Sequence, residues 1–107
     1  MREQEFRAWM MHMGTMQNRP IGDAISRCKR VCQALDIDLD EEFAKDGGIS
    51  LLNELKYTSE DAKTNRPVDA RFCFSQGANL KNGMASLKAA VKKYIEFCES
   101  VKEENVP

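Results

Sequence analysis

Apolar residues recur along this chain at helical rather than strand spacing. Phe6, Trp9, Met10 and Met13 gather on one face of a first helix expected over Glu3–Met13, with Gly14 as its stop. Asn18 and Pro20 provide a start signal, since Pro in a first turn needs no donated N–H. From there Ile21, Ile25, Cys28, Cys32 and Leu35 step by four, three, four and three, the signature of an amphipathic helix ending near Leu35. Asp38 and Glu41 stand like the two halves of a capping box before a short third helix reaching about Lys45. Gly47-Gly48 breaks it, and Ser50 is placed to cap a further short helix carrying Leu51, Leu52 and Leu55.

From Thr58 to Asn79 the period disappears, with Pro67 inside the stretch and Gly77 near its end, so a long irregular connection is expected. Val68, Phe72, Cys73 and Phe74 are too apolar to hang in water, and part of this connection should lie on the core. The last helix carries the clearest pattern. Leu80, Met84, Leu87, Val91, Tyr94, Cys98 and Val101 hold one narrow stripe, with Asn79 as the cap. Gly83 within it points to a close approach by another backbone, and the tail from Glu103 to Pro107 should fray. The pattern therefore predicts an all-α fold: one domain over residues 1–107, a compact bundle of four to five helices.

Composition narrows the classes. At 107 residues the chain is one ordinary globular domain. No apolar run reaches the roughly 20 residues that span a bilayer, and charges interrupt the first 13 residues where a signal peptide would be apolar, so a cytoplasmic protein is expected. Cys28, Cys32, Cys73 and Cys98 lie in apolar contexts and read as free thiols filling space. Cys28 and Cys32 are four apart, but His12 is remote and no further ligand is near, so neither a metal nor a cofactor is expected.

Catalysis needs a convergent set of groups, and the sequence offers none: the single histidine, His12, has no nucleophile beside it, and no phosphate loop or zinc motif is present. The carboxylates from Asp36 to Asp46 are interrupted by Ile37 and Leu39 and lack the central Gly of a calcium loop. They read as helix-capping charge. The net charge of -1 means that any surface for nucleic acid must arise by segregation of charge. Lys81, Lys88 and Lys92 line one flank of the last helix, with Lys93 further round, while Arg27, Lys29 and Arg30 stud the second helix and Arg19 precedes them.

The runs Glu5-Phe6-Arg7-Ala8-Trp9-Met10 with Gly14 after it, Ile25-Ser26-Arg27-Cys28-Lys29-Arg30-Val31, and Asn79-Leu80-Lys81 followed by Leu87-Lys88-Ala89-Ala90-Val91-Lys92-Lys93-Tyr94-Ile95-Glu96-Phe97 together resemble the N-terminal core-binding domain of tyrosine recombinases and phage integrases. The resemblance implies a SAM-like helical bundle that clamps double-stranded DNA, as a stand-alone module or one associated with a restriction-type nuclease, with the chemistry in a separate domain. Carried onto this sequence it marks Arg27, Lys29, Arg30, Lys81, Lys88 and Lys92 as phosphate contacts, and leaves Tyr94 a core residue rather than a nucleophile. A second function fits the same fold: a protein-interaction module that dimerises or binds another protein. The acidic stretch Asp36–Glu42 and the methionines from Met10 to Met16 would be its docking features.

Overall fold

A computed structural model describes residues 1–13, 18–64, 66–68, 70–72, 74 and 79–104. Gly14, Met16, Cys73, Gly77 and residues 105–107, on which several of the expectations above fall, lie outside the described residues.

The expected all-α bundle is present. Helix α1 spans Glu3–Met13, α2 Asn18–Leu35, α3 Leu39–Asp46, α4 Ile49–Glu54 and α6 Leu80–Glu104, with a short α5, Ser59–Lys63, and a 3₁₀ turn, Ala70–Phe72, inside the connection. Helix α6 holds 25 residues, about 37 Å at 1.5 Å per residue, and every other helix packs on it. Its stripe is the spine of the core: Met84, Leu87, Val91, Tyr94 and Cys98 are buried, and Leu80 and Val101 close the two ends half-buried. The largest helix–helix contact joins α2 to α6 through Ile21, Ile25, Cys28 and Val31, with the Cys28 thiol donating to the Ala90 carbonyl at 3.3 Å. Phe6 and Met10 anchor α1. The Phe6 ring meets Tyr94 edge-on at 4.9 Å and Phe97 at 5.6 Å, a geometry that aromatic quadrupoles favour.

Several local expectations are corrected. Met13 is 54% exposed rather than on the buried face of α1. The cap of α3 is Asp38, but its side chain accepts from the Asp40 N–H and from the amino group of Met1, so the expected box with Glu41 is replaced by a tie to the start of the chain. Ser50 lies inside α4. Asp46, at the end of α3, accepts from the backbone N–H groups of Gly48 and Ser50 and from the Ser50 hydroxyl, spanning a turn in which Gly47 and Gly48 both take the left-handed conformation.

Part of the stretch expected to be irregular is helical. Thr58 and Asp61 form a full capping box at α5, a signal present in the sequence as Thr-x-x-Asp. At Gly83 the close neighbour is an aromatic ring, not a backbone: a Cβ there would sit 2.6 Å from Phe74 Cε1. Phe72 is buried, as the connection's apolar content requires. Helix α6 runs through Glu104, past the point where fraying was expected. No helix of the described residues is long and apolar enough to cross a membrane.

Candidate nucleic-acid interface

Folding sorts the charges by element. Helix α2 carries Arg19, Arg27, Lys29 and Arg30 against the single Asp23, and α6 from Leu80 to Ile95 carries Lys81, Lys88, Lys92 and Lys93 with no carboxylate. Residues 36–61 hold nine carboxylates and only Lys45 and Lys56. Because α2 packs on α6, these two basic stretches are neighbours, while the rest of α6 adds Glu96, Glu99, Glu103 and Glu104 with Lys102.

Between these two helices runs a groove of about 550 Å³. Small side chains, Ala24, Ser86, Ala89 and Ala90, form its floor, and Arg19, Arg27 and Lys93 stand on its walls with Asp23 among them. Arg19, Asp23 and Arg27 recur every four residues, which stacks them along one side of α2. Arg19 and Arg27 are exposed and make no ion pair among the described residues. Lys93 pairs with Glu96 at 3.4 Å and lies 5.9 Å from the centre of the Trp9 ring.

The six cations marked in the sequence are not brought onto one surface. Arg27 is in the groove. Lys29 turns toward α1 and pairs with Glu3 at 2.8 Å. Arg30 is a tether: its guanidinium donates to the Phe72 carbonyl and lies 4.6 Å over the Phe74 ring, holding the connection against α2. Lys81 donates to the Ser59 hydroxyl at 2.8 Å, on the side of α6 that faces α5. At about 100° per residue, Lys81 and Lys88 project from the flank of α6 opposite to the one shared by Ser86, Ala89 and Lys93, with Lys92 turned toward the crest. Lys92 is exposed and Lys88 half-buried, neither with an ion partner among the described residues. Arg19 and Lys93 are the groove cations that the resemblance did not mark, although both were visible as basic positions beside the marked ones.

The acidic stretch turns inward at two of its members. Asp38 takes the Met1 amino group at 2.8 Å, and Asp40 accepts from Arg2 at 3.2 Å and from the Tyr94 hydroxyl at 2.7 Å. The hydrogen bond from the amino group holds the Asp38 carboxyl below the usual carboxylate range. Tyr94 is buried, its hydroxyl accepting from the Arg2 backbone N–H at 2.9 Å, and burial pushes its ionisation up. That environment suits a structural hydroxyl and opposes a phenolate nucleophile.

The thiols are similarly quiet. Burial pushes Cys28 up to about 12, and burial followed by the nearby Asp40 charge pushes Cys98 up to about 11. Cys28, Cys32 and Cys98 are all free. Among the described residues no three His, Cys, Asp or Glu side chains converge as metal ligands, and His12 is exposed. No family model, curated protein or solved structure matches this chain.

Proposed function

We propose that the chain is a non-catalytic DNA-binding module of a recombination, restriction or mobile-element system, using the positive side built by α2 and α6. The observation that carries this reading is the segregation of charge: α2 and the Leu80–Ile95 part of α6, which meet in the largest helix–helix contact, carry eight cations and one acid, against four glutamates and Lys102 in the rest of α6. In this reading one sugar-phosphate strand lies along the groove beside Arg19, Arg27 and Lys93, with Lys92 toward the crest of α6 and Lys88 on its far flank as further contacts. Lys29, Arg30 and Lys81 serve the fold, so the interface is smaller than the resemblance implies.

About four phosphate contacts should weaken binding roughly 100-fold between about 50 and about 200 mM salt. Fluorescence anisotropy on a short labelled duplex tests this. Arg19→Glu/Arg27→Glu and Lys88→Glu/Lys92→Glu, at three exposed positions and the half-buried Lys88, should each lose most of the affinity. No binding by the unaltered chain at low salt would overturn the reading. It would turn attention to the second one, a protein contact, for which Met11 and Met13, 55% and 54% exposed at the end of α1, offer an adaptable surface.

A further inference from the structure

One aromatic side chain adjoins the basic groove without lining it. Trp9, the single tryptophan of the chain, is half-buried on α1, and the ammonium of Lys93, which stands on the groove wall, lies 5.9 Å from the centre of its ring. Phe6 and Phe97, both buried, meet the indole at 6.3 Å and 5.8 Å, the Phe6 ring within 20° of parallel, and hold it in place from the core side. Lys93 is the side chain that joins this ring to the groove.

The charges around the junction nearly balance. Arg19, Arg27 and Lys93 share the groove with Asp23, and Glu96 pairs with Lys93 at 3.4 Å, so three cations stand against two carboxylates. Glu5, one turn before Trp9, is taken up by Arg2 at 3.6 Å. Phosphate attraction over an excess of one charge is weak, which leaves the choice between forms of DNA to a contact that does not depend on charge. Stacking on an aromatic ring is such a contact, and an unpaired base has a free face to offer where a base inside a duplex has none. Shape points the same way: the duplex major groove takes a convex element such as a helix, whereas a cationic concavity follows a single backbone.

We propose that the groove prefers unpaired DNA to duplex, with the strand's phosphates at Arg19 and Arg27 and one base stacked on Trp9 as the Lys93 ammonium turns from the indole to a phosphate. This rests on the DNA reading above and adds to it the form of DNA and the residue that selects it. Duplex binding remains, at lower affinity.

The test is a pair of anisotropy titrations at low salt, one with a labelled, non-self-complementary single strand of about 12 nucleotides and one with the duplex made from it. Trp9 emission is read in parallel on unlabelled DNA. The single strand should bind about tenfold more tightly than the duplex, the scale of one stacked base, and should quench the emission, which the duplex leaves near its free value. Trp9→Phe should keep part of the preference, and Trp9→Leu should abolish it with duplex affinity unchanged. Should Trp9→Leu fail to fold, the emission of the unaltered chain decides alone. Equal or tighter binding of the duplex, binding of the strand without quenching, or a preference unchanged in Trp9→Leu would each overturn the proposal and leave the DNA reading standing, whereas binding of neither form would overturn both.

Discussion

Asp40 illustrates how one residue gains importance through position. Its carboxylate accepts from Arg2 and from Tyr94, and the Met1 amino group lies 3.7 Å away, so the chain start and α6, far apart in sequence, meet on a single side chain of α3. Asp40→Asn keeps an acceptor for the Tyr94 hydroxyl but removes the charge that Arg2 faces. We expect a loss of about 2 kcal/mol in chemical denaturation, against about 1 kcal/mol for Tyr94→Phe. Equal losses would show that the hydroxyl, not the charge, organises the cluster.

Asp38 bears on pH. Its folded carboxyl ionises below the ordinary value of 3.8, so its contribution is present above that value and is lost as pH falls through the lower, folded one. The Met1 ammonium is raised above its ordinary 8.0 by the same hydrogen bond, so its contribution is present below 8.0 and fades as pH climbs through the raised value. Stability measured against pH should therefore decline at both edges, and Asp38→Asn should flatten both declines. A variant that alters only the acid edge would place the amino group with another partner.

At the scale of elements, the end of α2 is informative. Asp36 takes a positive φ of 52°, and the Ile37 N–H reaches back to the Cys32 carbonyl at 3.1 Å, the closing bond of a Schellman turn. A side chain in that conformation costs about 1 kcal/mol where Gly costs little, so Asp36→Gly should stabilise the protein by up to that amount in thermal or denaturant melts. A destabilised variant would mean that the Asp36 side chain contributes more than its backbone strain removes.

The same scale explains what could be read in advance. Helices α1, α2 and α6 were legible because burial on one face imposes a period of 3.6, and α6 kept that period through seven apolar positions. Helix α5 was not, since its five residues bury no side chain and leave no periodic trace; only Thr58 and Asp61 announced it. For the interface, periodicity gave the angle of each cation around its own helix but not the neighbour filling that flank. Lys29 and Lys81 looked as solvent-facing as Arg27. Their partners, Glu3 and Ser59, lie 26 and 22 residues away in sequence, and no local pattern encodes such pairs.

For the whole molecule, the balance of charge sets the strength of any electrostatic partnership. Asp23 sits in the groove between Arg19 and Arg27 and works against a phosphate there. Asp23→Asn should tighten duplex binding several-fold at low salt, with a smaller gain as salt rises. An unchanged affinity in the anisotropy assay would place the strand elsewhere on the positive side.

The spine of the core leaves the ribosome after every helix that packs on it. Until α6 emerges, Phe6, Ile21, Cys28 and Leu51 lack the α6 side of their core, with only the contacts of α1 with α2 and of α3 with α4 available, and the hydroxyl of Tyr94 cannot reach Arg2, 92 residues upstream. The nascent segment before Asn79 is thus a set of helices without a keel, exposed to chaperones and proteases until synthesis passes Cys98. A chain ending at residue 79 should unfold without a cooperative transition, whereas the same segment supplied with a separate peptide of residues 80–104 should regain one.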